Sequence, residues 1–297
     1  MTAKEMLSGI YSPMCTPFTD DKVDLKKVRE NIEKMNASGL LGYFVLGTNG
    51  EYKSLTGEEK IQVLDTVLKH AAPDKVIMAG TGGESTYKTI ELTKKVADMG
   101  AKMVSLLMPH FFAKKMDEAV LKSFILEVAD ASPVPVVLYN NPSVAAGVTI
   151  RADLLRAVSS HENVVGIKDS SRETYKENVE ARTESFHIMS GSAGYFLDLV
   201  RAGGVGGVLS LANIIPDACV ELHKLHLTGK TVEADELNER LVTLNKQVSG
   251  TYGVAGVKAA MDIAGFHGGN PRRPLPGVSA ADRDSLKEIL HGSGFLT

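Results

Sequence analysis

One lysine of this sequence stands where a side chain could do covalent chemistry. Lys168 directly follows residues 164–167, an apolar run typical of a buried strand. A lysine held away from water has a pKa well below its usual value of about 10.4, and its neutral amine can attack a carbonyl carbon. The alternative is a lysine whose stem covers apolar surface while its ammonium reaches solvent. Taken alone, Lys168 fits that second interpretation more simply.

A tyrosine ends a second apolar run. Tyr139 closes residues 134–139 and would present a phenol, which can donate or accept a proton in catalysis. The alternative is an aromatic residue that packs in the core with its hydroxyl hydrogen-bonded. Tyr139 alone does not separate these two interpretations, so its neighbours in the fold must decide between them.

Two turns have the composition of anion-binding sites. Residues 47–51 read Gly-Thr-Asn-Gly-Glu, in which the glycines let backbone amides approach a ligand and Thr48 and Asn49 add side-chain donors. Residues 190–194 place small residues before a helical stretch, whose first amides can bind an anion. Taken alone, each segment is more simply explained as an ordinary turn between a strand and a helix. The first turn would suit a carboxylate.

The elements that must position these residues alternate along the chain. Eight short apolar runs are each followed by an amphipathic helical stretch, a pattern typical of parallel strands buried on both faces. The runs are residues 10–17, 42–46, 76–79, 103–108, 134–139, 164–167, 187–189 and 205–210. Eight such units predict an α/β fold, a closed (β/α)8 TIM barrel. The alternative is an open doubly wound sheet, but no Gly-x-Gly-x-x-Gly turn follows the first run.

A barrel would bring the candidate residues to one rim. Active sites of TIM barrels lie at the carboxyl ends of the strands. The runs that end at Tyr139 and before Lys168 are consecutive, so their strands would be neighbours about 5 Å apart and the two side chains could face each other. An amine, a phenol and an anion-binding turn at one rim predict a site that forms a Schiff base.

The last part of the chain predicts helices without strands. Residues 232–248, 254–264 and 280–290 read as three helices that follow the barrel pattern. This tail is short for a core of its own. We therefore predict a catalytic barrel at residues 1–228 and a C-terminal three-helix extension, residues 229–297, packed on it.

Composition excludes several function classes. The 33 basic and 36 acidic residues give a net charge of −3, with no basic excess for nucleic acid or an anionic membrane. Two cysteines and eight scattered histidines show no disulfide framework and no metal-ligand spacing. No secretion signal and no apolar run of membrane-spanning length is visible. We expect a cytoplasmic protein with no metal, no nucleic-acid partner and no membrane partner.

Several segments together resemble the dihydrodipicolinate synthase / N-acetylneuraminate lyase family of class I aldolases. The likeness runs from about Gly9 to Leu290 and is carried by residues 47–51, 109–112, 139–142, 166–169, 191–194 and 207–213. Within the family the chain is most similar to the 4-hydroxy-2-oxoglutarate aldolases. That closer likeness is carried by residues 47–51, 82–86, 168–170, 191–194 and 265–269.

The resemblance implies three catalytic residues. Lys168 matches the lysine that forms an imine with pyruvate or a related 2-oxo acid. Tyr139 matches the tyrosine that moves protons to and from the carbinolamine and the substrate. Thr48 matches a threonine of the same proton relay.

The resemblance also implies substrate-binding residues and an assembly. Thr48 and Asn49 match the residues that bind the carboxylate of the pyruvyl part. Ser170 matches an aldolase serine near the distal part of the substrate, and the backbone of Gly191 and Leu209 would line the site near the imine. Members of the family are usually homotetramers and need no metal or organic cofactor.

The chain departs from the family pattern at two places. Phe111 stands where the family commonly has a tyrosine that joins the neighbouring subunit's relay, so a hydroxyl is missing there. Synthases of the family carry an arginine shortly after the proline that matches Pro142, and residues 143–147, Ser-Val-Ala-Ala-Gly, contain none. That arginine binds a second carboxylate, and its absence favours another substrate.

Three functions follow from these observations. The first is an aldolase that cleaves or forms 4-hydroxy-2-oxoglutarate from pyruvate and glyoxylate. The second is the 4-hydroxy-tetrahydrodipicolinate synthase, which the missing arginine disfavours. The third is a non-catalytic barrel that binds 2-oxo acids, and its support is Phe111.

Overall fold

The computed structural model describes residues 1–296 of the chain. Within these residues, eight parallel strands close into a barrel in the order β1-β10-β9-β8-β7-β6-β5-β4. The barrel strands are β1 (Ile10–Pro13), β4 (Gly42–Val45), β5 (Val76–Gly80), β6 (Met103–Leu107), β7 (Val136–Asn140), β8 (Val164–Asp169), β9 (His187–Ser190) and β10 (Gly206–Val208). The predicted (β/α)8 TIM barrel is confirmed, and the open doubly wound sheet is wrong.

The helices follow the strands as the alternation predicts. They are α1 (Ala3–Leu7), α2 (Leu25–Met35), α3 (Gly57–His70), α4 (Thr86–Met99), α5 (Glu118–Ala131), α6 (Ala152–Val158), α7 (Tyr175–Glu180), α8 (Phe196–Arg201), α9 (Pro216–Leu227), α10 (Thr231–Asn245), α11 (Thr251–Ile263) and α12 (Ala280–Gly292). A small antiparallel hairpin, β2 (Phe18–Thr19) with β3 (Lys22–Val23), was not predicted. The apolar run at residues 10–17 therefore ends as a strand at Pro13, although the residues after it stay buried.

The chain divides into two compact units. The first comprises Met1–Gly9 and Val76–Gly207, and it contains β5 to β9 with helices α1 and α4 to α8. All five residues of β5, β6 and β7 and all six of β8 are buried, which explains their continuous apolar sequence. Burial of each large apolar side chain contributes about 1.5–3 kcal/mol. Packing on both faces therefore holds the strand ends in place.

The pairing of β7 with β8 determines which side chains of the two strands lie next to each other. On β7 and β8, Tyr139 pairs with Lys168 and Asn140 pairs with Asp169. The register shifts between Val136 and Val137, so one irregularity lies near the start of this pair of strands. Because a slip of one residue would turn every side chain to the opposite face, the register beyond the shift must be specified locally.

The second unit comprises Ile10–Lys75 and the chain from Val208 onward. Here β1 pairs with β4, and α2 buries Val28, Ile32 and Met35 at helical spacing. Helix α3 begins at the capping box formed by Thr56 and Glu59. The apolar spacing of α2 and the capping box of α3 are both local patterns, which can be recognised in the sequence without the structure.

The C-terminal extension is present and helical. Helices α10, α11 and α12 correspond to the predicted helices at residues 232–248, 254–264 and 280–290. A π-helical turn, Lys246–Gly250, joins α10 to α11, and Gly253 takes a left-handed φ of 58° inside α11. The boundary between a barrel domain and an extension at residues 228 and 229 stays a prediction. No helix in the described part of the chain combines the length and the hydropathy needed to cross a bilayer.

Candidate active site

Lys168 and Tyr139 lie side by side at the ends of β8 and β7. The Lys168 Nζ is 3.8 Å from the centre of the Tyr139 ring, well inside the range of a cation–π contact. Each residue is only 4% exposed. The juxtaposition expected from consecutive strands is therefore observed, and the interpretation of Lys168 as a lysine that reaches solvent is wrong.

Burial changes the acid–base behaviour of this amine. Removal from water lowers the pKa of Lys168, because the low-dielectric surroundings disfavour the ammonium form. The neighbouring Tyr139, through its charge and a hydrogen bond, acts in the opposite direction and raises that pKa, but burial is the larger effect. A lowered pKa increases the fraction of neutral amine, which is the nucleophilic form.

The Tyr139 hydroxyl is held by the loop that follows β7. It accepts a hydrogen bond of 2.9 Å from Asn141 Nδ2. Asn141 Oδ1 in turn accepts a hydrogen bond of 2.7 Å from Ser143 Oγ. The phenol is thus oriented by residues adjacent in sequence, which keeps its oxygen available as a base while the amide donates to it.

Ser170 and Gly191 come together beside the end of β8. A Cβ added at Gly191 would lie 1.8 Å from Ser170 Oγ and 2.9 Å from the Asp169 carbonyl oxygen, so position 191 requires glycine. Ser170 Oγ is buried and has no hydrogen-bond partner within residues 1–296. An unsatisfied buried hydroxyl costs about 1–3 kcal/mol, and such a group marks a place where a ligand could supply the bond.

Three amides of the turn at residues 190–194 donate hydrogen bonds within the protein. The amides of Gly191, Ser192 and Gly194 donate to Asp169 O, Ser190 Oγ and Ser192 Oγ at 2.6, 3.3 and 3.1 Å. Side chains and a strand carbonyl of the protein thus take three of the turn's donors, and the anion site at this turn stays a prediction.

Thr48, Asn49 and Leu209 belong to the second unit. Asn49 is 9% exposed, and its Nδ2 donates a hydrogen bond of 3.0 Å to the hydroxyl of Ser210, the residue after Leu209. Leu209 is fully buried, and its amide donates to Tyr11 O at 3.1 Å. The structure thus brings Asn49 to the segment that follows β10, and Thr48 lies in the same turn as Asn49.

The turn that carries Thr48 and Asn49 is fixed by close packing and by strained backbone. A Cβ at Gly47 would lie 2.5 Å from the Phe44 ring, which explains the glycine there. Glu51 takes a left-handed φ of 53°, a conformation that is costly for a side chain larger than glycine. Contacts of Glu51 with its surroundings must therefore offset the cost of this backbone conformation.

Glu51 forms a buried ion pair that was not predicted from the sequence. Its Oε1 lies 2.7 Å from Nζ of Lys258 on α11, and the two side chains are 5% and 0% exposed. Lys258 also donates to Thr16 O at 2.8 Å, and Thr16 Oγ1 donates to Gly50 O at 2.8 Å. The one signal in sequence is a lysine inside the apolar stretch at residues 257–261.

Arg272 completes this arrangement. Its backbone amide donates to Glu51 Oε2 at 2.8 Å, and its guanidinium forms two bonds of 2.6 and 2.8 Å to Glu59. The bonds from Arg272 lower the pKa of Glu59 to about 2, so this carboxylate stays charged across the physiological range. The Phe18 ring lies 4.5 Å from Lys258 Nζ and 4.6 Å from the Arg272 guanidinium. The unpredicted β2–β3 hairpin thus contributes an aromatic face to the two cations.

Phe111 is a surface residue of the first unit. It is 77% exposed and packs edge-to-face on Phe112, which is 67% exposed, with 5.0 Å between ring centres. The Glu84 carboxylate accepts hydrogen bonds of 2.8 and 2.9 Å from the amides of His110 and Phe111. This segment is therefore anchored at its backbone and presents two aromatic rings outward.

Metal-binding chemistry has no candidate in the part of the chain that the structure describes. No three His, Cys, Asp or Glu side chains there are grouped so that they could hold an ion. Both cysteines, Cys15 and Cys219, are free and buried, and burial raises the pKa of each thiol to about 12.

The closed parallel barrel is a TIM barrel, and it carries a desolvated lysine beside a tyrosine at the ends of two strands. Residues 6–293 match the sequence model of the Dihydrodipicolinate synthetase family, which leaves few residues outside the match. The chain belongs to this family.

Named relatives include both aldolases and synthases. A probable mitochondrial 4-hydroxy-2-oxoglutarate aldolase of Emericella nidulans is 32% identical over 99% of this chain and 97% of its own. A 4-hydroxy-tetrahydrodipicolinate synthase of Methanothrix thermoacetophila is also 32% identical, over 98% of this chain and 99% of its own. Among solved structures, a prophage protein of the dihydrodipicolinic acid synthase family from E. coli K12, in complex with pyruvate, is 25% identical. Its TM-score is 0.89, and the match covers 97% of this chain and 99% of that one.

Proposed function

We propose that the protein is a class I aldolase whose Lys168 forms a Schiff base with a 2-oxo acid. The preferred reaction is cleavage of 4-hydroxy-2-oxoglutarate to pyruvate and glyoxylate, or its reverse. The observation that carries the proposal is the buried Lys168 amine, whose pKa is lowered by desolvation and which lies against the Tyr139 ring. A neutral amine beside a phenol is the pair that imine chemistry needs.

The reaction proceeds in steps that the two residues can support. The Lys168 amine attacks the 2-oxo carbon to give a carbinolamine, and loss of water gives a protonated imine. The imine accepts the electron pair of the breaking C–C bond as an enamine, and the aldehyde leaves. Protonation of the enamine and hydrolysis of the imine then release pyruvate and restore the amine. Tyr139 donates and accepts the protons of these steps, and Thr48 takes part in the same relay.

Substrate binding is assigned to five residues. Thr48 and Asn49 bind the carboxylate next to the 2-oxo group, and the backbone of Gly191 and Leu209 lines the site near the imine. Ser170 binds the distal part of the substrate. The last assignment is supported by the Ser170 hydroxyl, which has no partner in residues 1–296 and would gain a hydrogen bond from a ligand.

The loop after β7 favours the aldolase over the 4-hydroxy-tetrahydrodipicolinate synthase. Residues 143–147 carry no arginine, and Arg151 is the next one along the chain. The Arg151 side chain is 65% exposed and lies 3.6 Å from Glu177, so its charge is directed to another carboxylate. Without a charge-assisted pair to its carboxylate, aspartate semialdehyde would bind more weakly by about 2–5 kcal/mol. The distal carboxylate of 4-hydroxy-2-oxoglutarate is instead assigned to neutral hydrogen bonds, with the Ser170 hydroxyl, unpartnered within residues 1–296, as its donor.

Two further expectations accompany the proposal. By the family resemblance, the enzyme works as a homotetramer without a metal or an organic cofactor. We also expect a cytoplasmic location, whereas the aldolase relative from Emericella nidulans is named as mitochondrial. Gel filtration with light scattering tests the assembly, and pyruvate release by the same protein after treatment with a chelator tests the metal independence.

A panel assay tests the proposed reaction. Pyruvate release is measured from 4-hydroxy-2-oxoglutarate and other hydroxylated 2-oxo acids, and synthase activity from pyruvate with aspartate semialdehyde. We expect kcat/KM for 4-hydroxy-2-oxoglutarate to exceed that of the synthase reaction by about 30-fold or more, from the missing charged pair. If the synthase reaction is faster by tenfold, the protein is a 4-hydroxy-tetrahydrodipicolinate synthase. Arg151→Ala would then be the first variant to assay, to test whether Arg151 binds the carboxylate of aspartate semialdehyde. If no substrate is turned over, the remaining interpretation is a non-catalytic barrel that binds 2-oxo acids.

A further inference from the structure

The residues that directly follow Tyr139 and Lys168 form a second pair on the other face of the strands. Side chains alternate between faces along a strand, so Asn140 and Asp169 lie opposite to Tyr139 and Lys168. Asn140 and Asp169 are register partners, and Asn140 Nδ2 donates a hydrogen bond of 3.0 Å to Asp169 Oδ1. They are 1% and 0% exposed.

The Asp169 carboxylate collects three further donors. Asn178 Nδ2 on α7 donates to it at 2.7 Å, the Ser171 amide at 2.9 Å and the Thr174 hydroxyl at 3.1 Å. Burial raises the pKa of Asp169, while these hydrogen bonds and the one from Asn140 oppose the rise by stabilising the charged form. Four converging donors require a group that only accepts, which explains an aspartate rather than an asparagine at this position.

Asn140 is held from both sides as well. Its Oδ1 accepts a hydrogen bond of 2.9 Å from the Ile150 amide, and its Nδ2 also donates to Thr174 Oγ1 at 2.8 Å. Its backbone oxygen accepts a bond of 2.8 Å from the Ser170 amide. We name Asn140, Asp169, Thr174 and Asn178 the outer clamp.

The outer clamp lies at the end of the two strands, beyond the position where their register shifts. β7 and β8 shift register between Val136 and Val137, and the regular pairs that follow end at Tyr139–Lys168 and Asn140–Asp169. Because Asn140 shares a peptide bond with Tyr139 and Asp169 shares one with Lys168, fixing the outer pair fixes the position of the inner pair. A displacement of about 1 Å at a reacting pair costs about 100-fold in rate.

We propose that the outer clamp positions Lys168 against Tyr139, and that Asn140 and Asp169 are positioning residues of the reaction. The inference rests on the proposed function for its effect on rate. Its geometric part, the distance between Lys168 Nζ and the Tyr139 ring, can be measured without any substrate.

The decisive variant is Asn140→Asp, with a reciprocal exchange as its rescue. Asn140→Asp places two carboxylates at hydrogen-bond distance, and their repulsion separates the ends of β7 and β8. The double variant Asn140→Asp with Asp169→Asn removes the repulsion and restores one donor facing one acceptor. The amide at position 169 leaves another of the surrounding donors without its acceptor, so the recovery should be partial. Thr93→Val is the matched control, because it removes another buried hydrogen bond of the first unit, 3.0 Å from Thr93 to Thr81, on a different helix.

Two measurements are made at mildly alkaline pH on all four proteins. The first is the rate of borohydride trapping of pyruvate at saturating concentration. We expect a fall of about 100-fold in Asn140→Asp, recovery to within about tenfold in the exchange variant, and little change in Thr93→Val. The second is the crystallographic distance from Lys168 Nζ to the Tyr139 ring, which should lengthen in Asn140→Asp and return in the exchange variant.

The outcomes separate the two proposals. If the wild-type protein traps no pyruvate, the proposed function fails, and the crystallographic distances still decide whether the clamp positions the pair. If the wild type traps pyruvate and Asn140→Asp traps it as fast with an unchanged distance, the clamp inference is overturned. An equal loss of rate in Thr93→Val also overturns it, since the effect would then be one of general stability. Should Asn140→Asp fail to fold, Asn140→Ser removes the bond to Asp169 without an added charge and takes its place.

Discussion

Lys168 and Tyr139 are register partners on adjacent strands, and the lysine Nζ lies 3.8 Å from the centre of the tyrosine ring. The contact includes the face of the ring, so the packing of the pair does not depend on the hydroxyl alone. The hydroxyl is separately held by Asn141. Packing and proton transfer can therefore be altered independently.

Tyr139→Phe should remove proton transfer and leave the fold intact. Loss of one general acid–base group lowers kcat by about 10²–10⁴-fold. Steady-state kinetics with a thermal melting curve provide the measurement. Tyr43→Phe is the control, since Tyr43 is equally buried but donates its hydroxyl to Asn36 in the second unit. Near-normal turnover of Tyr139→Phe would exclude the assigned role.

Borohydride reduction in the presence of pyruvate should attach the pyruvyl carbons to Lys168 and inactivate the enzyme. Lys75 is the internal comparison, because its side chain is also only 4% exposed but its Nζ donates to the carbonyls of Ser38 and Leu40. Peptide mass spectrometry should find the label on Lys168 and none on Lys75. A label at any other lysine would contradict the central assignment.

The buried Lys168 should make stability depend on pH with a defined sign. Its pKa is lower in the folded than in the unfolded chain, so the unfolded chain binds more protons between the two values, and stability rises with pH there. Lys168→Met removes the buried ammonium and should stabilise the fold most at pH values below the folded pKa. Urea unfolding of both proteins across pH should show this advantage shrinking toward alkaline pH. A difference that does not change with pH would argue against a lowered pKa.

Phe111→Tyr should raise turnover or leave it unchanged. Phe111 is highly exposed, so a hydroxyl can be added without a steric cost. The restored phenol would supply the group that the family commonly has at this position. Phe112→Tyr, in the adjacent ring, is the control and should have no effect. A large fall in kcat for Phe111→Tyr with an intact assembly would show that the phenyl ring itself is needed.

Lys258→Met should destabilise the protein strongly. It leaves the Glu51 carboxylate buried without its cation, and breaking a buried pair costs about 3–5 kcal/mol. Adding Glu51→Gln should recover much of this loss, because the neutral pair needs no counter-charge. Arg156→Met is the exposed comparison and should change the free energy of unfolding by less than about 1 kcal/mol. Urea unfolding measures all three, and an equal loss in Lys258→Met and Arg156→Met would contradict the prediction.

The barrel could be predicted from the sequence because its strands are buried on both faces. β6, β7 and β8 are apolar along nearly their whole length, so they stand out from the amphipathic helices between them. The contact of Lys168 with Tyr139 followed from strand order alone, since consecutive strands of a barrel are neighbours. The ends of the strands were harder to predict. The apolar run at residues 205–210, for example, is a strand only as far as Val208, because Ser210–Asn213 form a 3-10 turn.

Contacts between distant segments could not be predicted. Each strand of the β2–β3 hairpin has two residues, which is too short to show an alternating pattern. The sequence around Asp169 gives no sign that this carboxylate is buried and hydrogen-bonded. The four donors that surround it are visible only in the structure. The hydrogen bond of the Gly191 amide likewise depends on the Asp169 carbonyl of a neighbouring strand.

The ion pair of Glu51 with Lys258 also sets an order of events during synthesis. The two residues are 207 positions apart. At about 5–20 residues per second, Lys258 is added about 10–40 s after Glu51. Throughout that interval the nascent chain holds Glu51 without its cation, and neither Lys258 nor Arg272 has yet been made. The turn with Thr48 and Asn49 is therefore among the last parts of the enzyme to reach its final form, after most of the barrel strands have left the ribosome.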